Sequence, residues 1–113
     1  MTNDKNETQS HFRSIPIEVY REKFHAGDHT LVDVREYEEW VMGRIPGAIH
    51  IPLNDLPDHL TKIPQDKPVV VVCASGVRSL YGSEFLLQQG YPEVYNLEDG
   101  THGWAMRRLP IER

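Results

Sequence analysis

The chain has 113 residues, 39% hydrophobic and 26% charged, a size and balance that suit one soluble domain with a modest core. Its formal net charge of −5 gives no bulk attraction to nucleic acid or anionic lipid, and the pair Arg107-Arg108 is expected to be solvated surface. A single cysteine cannot form an internal disulfide, and no stretch reaches transmembrane length.

Residues 1–11 are polar, without an apolar leader, and are expected to form a disordered tail on a cytoplasmic protein, with a single domain over 12–113. "PIEVYREKFHAG" predicts a helix from Pro16 to a stop at Gly27. "TLVDV" (30–34) predicts a buried strand and "REYEEWVMG" (35–43) a short helix. "GAIHIPL" (47–53) predicts a brief strand and "NDLPDHLTKI" (54–63) a weak helix interrupted by Pro57. The strongest strand is "KPVVVVC" (67–73), whose continuous apolar run suits a parallel strand covered on both faces. "VRSLYGSEFLLQQG" (77–90) predicts a helix, "EVYNL" (93–97) a strand and "GTHGWAMRRL" (100–109) a last helical stretch. Alternating strands and helices argue for an α/β fold, a small parallel sheet flanked by helices on both faces. Ligands in such sheets sit at the carboxyl ends of the strands, and Cys73 stands at one of those ends.

A lone cysteine after a valine run is commonly a small core hydrophobe. The residues after it favour more. Ala74 and Ser75 are small, and Gly76 permits a tight turn. A helix beginning near Val77 adds unpaired N–H groups and the positive end of its dipole. Arg78 adds a full charge. Cysteines in such settings have pKa values lowered from ~8.5 to roughly 3.5–7.5, so Cys73 is a candidate nucleophile at an open sheet edge.

Three segments, in order over roughly residues 15–107, resemble the rhodanese-like sulfurtransferase family. They are "LVDVREYEEWVMGRIPGAIHIPL" (31–53), "CASGVRS" (73–79) and "GYPEVYNLEDGTHGW" (90–104). The chain departs from the family pattern at Arg44, where histidine is usual, at Asp99, which replaces the first glycine of a pair, and at Gly82-Ser83, which replace a common Ala-Ala. The resemblance implies that Cys73 carries a sulfane sulfur as a persulfide, with no cofactor and no metal. The donor would be a small anion such as thiosulfate and the acceptor cyanide, a thiol or a partner protein's cysteine, with no nucleic acid and no membrane. The amides of Ala74, Ser75, Gly76, Val77, Arg78 and Ser79 would cradle the outer sulfur. Arg78 would either attract the donor or form a structural salt bridge. Asp33 would bond the loop backbone, and Arg35 would pair with a nearby acid such as Glu38 or Glu39, both as support rather than in catalysis.

Two other classes of function stay open. One is a binding module or non-catalytic persulfide carrier. The other is a phosphatase or arsenate reductase, for which Asp99 is the candidate proton donor; related phosphatases of the same fold carry a loop one residue longer. Elsewhere, His25 and His29 flank a glycine and make a poor metal pair, His102 reads as surface, and Trp40 and Trp104 read as packing.

Overall fold

The structure, a computed structural model, describes residues 11–113. Of the tail expected over residues 1–11, all but the exposed His11 lies outside the described residues. Five parallel strands form one sheet: β1 Arg13–Ile15, β2 Thr30–Asp33, β3 Ile49–His50, β4 Val69–Val72 and β5 Val94–Leu97. Their order is β1-β5-β4-β2-β3, so β4 is central and pairs β2 on one side and β5 on the other. All four valines of β4 are fully buried, as the unbroken apolar run requires.

The alternation of side chains along β4 divides the core. Val70 and Val72 join Ile17, Tyr20, Phe24, Tyr95, Leu97 and Trp104 on one face. That face is covered by helices α1 (Ile17–Lys23) and α4 (Gly100–Met106). Val69, Val71 and Cys73 join Val94, Leu56 and Leu86 on the other, under helix α3 (Arg78–Gln88). A short helix α2 (Tyr37–Trp40) follows β2 and is started by a capping box between Glu36 and Glu39.

Two expectations change. Residues 54–63 do not form an α-helix with an interruption; they form two 3-10 turns, Leu53–Asp58 and Leu60–Lys62, with Pro57 inside the first. A proline has no N–H to sustain an α-helical ladder, and short 3-10 pieces tolerate that loss. Strand β1 is not predicted from the sequence, because it is three residues long and two of them are exposed. Its strand geometry is imposed by β5, with Ser14 opposite Asn96 and Ile15 opposite Leu97.

The unusual residues have local explanations. A Cβ on Gly82 would lie 3.2 Å from Val71 and 3.5 Å from Leu53 and Leu56, so a small residue lets α3 approach the sheet. Arg44 stacks over the Trp40 ring at 4.6 Å and exchanges two backbone hydrogen bonds with Glu112. The sheet delivers the loops after β2, β4 and β5 to one edge, and Cys73 is on the central one.

Candidate active site

Cys73 directly follows β4 with its side chain on the α3 face, only 1% exposed. That burial corrects the expectation of a thiol at an open edge, because the loop folds back over the sulfur. The turn is made by Gly76 at φ +96°, and the Gly76 amide donates to Cys73 Sγ at 3.1 Å. Ser79, in the first turn of α3 and fully buried, places its hydroxyl 3.3 Å from Sγ. Burial pushes the thiol up. The Ser79 hydroxyl and the amides of Ser79, Ser75 and Gly76 together pull it further down, and the net pKa lies below that of a free thiol. The amides acting on the sulfur are thus a subset of the expected cradle. Ala74 is half-buried, while Ser75 and Val77 face solvent.

The loop is braced from behind by α4. Thr101 and His102 donate their amides to the carbonyls of Cys73 and Ala74 at 2.8 and 2.9 Å. Gly100 lies so close that a Cβ would stand 2.4 Å from the Cys73 oxygen. This contact requires glycine at that position whatever its conformation.

Arg78 forms a two-pronged ion pair with Glu39 of α2, at 2.7 and 2.8 Å. These bonds hold the Glu39 carboxyl down at about 2 and raise the arginine above its ordinary value. The Glu39 carboxylate also accepts the Glu36 amide at 2.9 Å, so it joins the start of α2 to the start of α3. Of the two roles open to Arg78, the structure displays the salt bridge.

The roles expected of Asp33 and Arg35 are corrected. Asp33 does not bond the backbone of the cysteine loop; it accepts the Arg35 amide and guanidinium at 2.9–3.0 Å. Arg35 pairs with that aspartate rather than with Glu38 or Glu39, and it donates to the Gly43 carbonyl at 2.8 Å. The pair is buried, at 0% and 6% exposure. Two residues apart at a strand end, the side chains lie on one side, and Glu39 is already engaged by Arg78. His50 bonds the Arg35 carbonyl at 2.7 Å and stacks on Trp40 at 4.7 Å.

Among the other singled-out residues, His29 bonds the Tyr20 hydroxyl and His25 the Glu22 carbonyl. Trp104 is core and donates to the Pro110 carbonyl. Asp99 adopts φ +65° and turns its carboxylate to Arg107 at 3.4 Å. The site also contains residues that the sequence reading did not single out. Asn96 of β5, 2% exposed, accepts the Ser79 hydroxyl proton and donates to Ser14 Oγ at 3.1 Å. The visible signal was an amide inside the apolar strand "VYNL".

Two clefts flank the loop. One, about 260 Å³, lies among Arg35, Glu39, Met42, Ala74 and His102; the other, about 300 Å³, lies among Ser14, Ser75, Gly76, Asn96 and Glu98. A larger crevice of about 510 Å³ opens among Arg13, Asp66, Lys67 and Glu93, at the amino ends of the strands and away from Cys73. A hydrogen-bonded thiol of lowered pKa at the end of a central strand has the chemistry of a nucleophile.

Comparison with known proteins follows the same lines. The chain is 43% identical over 84 residues to a sulfurtransferase of Allochromatium vinosum, covering 74% of this chain and 78% of that protein. It is 38% identical over 99 residues to YtwF of Bacillus subtilis, provisionally named a sulfurtransferase, covering 87% and 95% of the two chains. The crystal structure of a rhodanese-related protein from Thermoplasma volcanium superposes with a TM-score of 0.80 at 33% identity, covering 89% of this chain and 98% of that one. The family model for the rhodanese-like domain matches residues 17–107, and with the parallel sheet and the cysteine loop at its carboxyl edge, the chain belongs to the rhodanese-like domain family.

Proposed function

We propose that the protein is a sulfurtransferase that carries sulfur as a persulfide on Cys73, taking it from thiosulfate or a related anionic donor. The observation that carries this reading is the thiol itself, held below the usual thiol range by the Ser79 hydroxyl and the loop amides despite its burial. The Cys73 thiolate attacks the outer sulfur of thiosulfate; the S–S bond of the donor breaks and sulfite leaves with the electron pair. The anionic outer sulfur of the persulfide then lies in the amide cradle of residues 74–79. Cyanide or a thiolate takes that sulfur in turn and regenerates the Cys73 thiolate, giving ping-pong kinetics. With one cysteine in the chain, the persulfide is resolved by an outside acceptor, a small thiol or the cysteine of a partner protein. None of these steps calls for a cofactor.

Sulfur is favoured over phosphate by the size and charge of the cradle. Four residues separate Cys73 from Arg78, and the Arg78 guanidinium is bound to Glu39 rather than turned in to clamp three phosphoryl oxygens. Asp99, the candidate acid for a phosphatase, is engaged by Arg107.

The test is intact mass after thiosulfate treatment, followed by thiocyanate formation on adding cyanide. The expected result is a gain of one sulfur atom and turnover, both lost in Cys73→Ser. Hydrolysis of para-nitrophenyl phosphate without sulfur transfer would overturn the reading. Mass gain without turnover would make the protein a carrier rather than a catalyst.

A further inference from the structure

Ser79 has one hydroxyl proton and two buried acceptors within reach. Its Oγ lies 3.3 Å from the Cys73 sulfur, and it donates to Oδ1 of Asn96. Cys73, Ser79 and Asn96 are 1%, 0% and 2% exposed, so solvent does little to compensate a lost partner. The other end of the Asn96 amide is anchored on Ser14 Oγ at 3.1 Å, its partner across the β1–β5 register.

We propose that Asn96 is a positioning residue of this site: it competes with the Cys73 sulfur for the single proton of the Ser79 hydroxyl, and so sets how readily the thiol ionises. While Ser79 donates to Asn96, its oxygen is left as an acceptor for the S–H, which favours the neutral thiol. When the thiol loses its proton, the hydroxyl turns to the sulfur and Asn96 Oδ1 gives up that bond. Ionisation therefore costs one buried hydrogen bond, which opposes the pull of the loop amides. The opposition has a use, since a thiolate of very low pKa is a weak nucleophile and the best attacking thiol has a pKa near ambient pH.

The charged groups on the surrounding elements are a constant background. Asp33 is paired with Arg35, Glu39 with Arg78 and Asp99 with Arg107. Glu98 and His102, on the segment after β5, are exposed. None of them contacts the Asn96 amide, so substitution at Asn96 leaves them in place.

The inference rests on Cys73 being the reacting thiol of the proposed function, but its test needs no sulfur donor. The measurement is the pH profile of iodoacetamide alkylation of Cys73. Asn96→Ala frees the Ser79 proton for the sulfur and is expected to lower the apparent pKa by about half to one unit. Asn96→Asp, nearly isosteric, places a stronger acceptor and a negative charge there and is expected to raise it. In a Ser79→Ala background Asn96→Ala is expected to have no effect, because the shared proton is gone. Shifts of the same sign for the alanine and aspartate variants, or an undiminished shift in the Ser79→Ala background, would overturn the proposal. Should Asn96→Ala fail to fold, Asn96→Asp carries the test, and an unchanged or lowered pKa overturns it. Absence of sulfur transfer in the unmodified protein, with the expected profile shifts in the variants, would overturn the proposed function and leave this inference standing.

Discussion

Gly100→Ala tests whether the reactivity of Cys73 depends on the brace behind its loop. Gly100 has φ +61°, and a Cβ there would stand 2.4 Å from the Cys73 oxygen and 2.5 Å from the Ala74 oxygen. Both obstacles are backbone, so no side chain can rotate away. The loop has to retreat from α4, stretching the Thr101–Cys73 and His102–Ala74 hydrogen bonds, now 2.8 and 2.9 Å. Each is worth about 0.5–1.5 kcal/mol, and the left-handed conformation costs an alanine about 1–2 kcal/mol, giving a loss of about 2–5 kcal/mol. Gly27→Ala separates the two contributions: Gly27 has φ +77° with nothing within 4 Å of a Cβ, so it carries the conformational cost alone. Urea unfolding measures both variants. Alkylation of Cys73 against pH then reports the cradle, and in Gly100→Ala the pKa is expected to rise as the amides are drawn off the sulfur. If Gly100→Ala were no less stable than Gly27→Ala, or left the Cys73 profile unmoved, the brace would have no bearing on the thiol.

Ser79→Ala removes a hydroxyl that lowers the thiol pKa; the apparent pKa is expected to rise by about half to one unit and alkylation at neutral pH to slow. The Glu39 carboxyl is held at about 2 against an ordinary 4.5, so its contribution to stability is complete above pH 4.5 and is lost as pH falls from there towards 2. Because the Arg78 and Glu39 side chains are 36% and 35% exposed, solvent screening limits that contribution to about 1 kcal/mol. Thermal melts across this range should show it, and Glu39→Gln should show a shallower acid limb; an identical limb would refute the pairing. Leu86→Ala, at a fully buried position on the sheet-facing side of α3, is expected to cost about 2–5 kcal/mol while leaving the Cys73 profile unchanged in the folded protein.

What could be read from the sequence depended on how local the cause was. The valine run ending at Cys73 admits one arrangement, a central strand covered on both faces, and the small residues after it announce the turn. Strand β1 carries no such signal, since Arg13 and Ser14 become strand only by pairing with β5. Residues 54–63 carry a helix-like pattern, but Pro57 moves them to the tighter 3-10 form. Spacing offers Arg35 the glutamates of the following helix, yet Asp33 is its partner in space, and Glu39 is taken by an arginine 39 positions along the chain. Asn96 was visible as an amide in an apolar strand. Its contact with Ser79 follows from how α3 lies on the sheet, which no spacing along the chain encodes. The depth of the thiol was equally illegible, because it depends on how far the loop folds back.

That depth makes access to the thiol depend on the size of what approaches it. With 1% of Cys73 exposed, a bulky disulfide reaches the sulfur only when the loop over it moves aside. Two molecules meeting in solution join through a disulfide only when both loops are open at once. Concealment thus keeps a reactive sulfur from cross-linking the protein to its own copies.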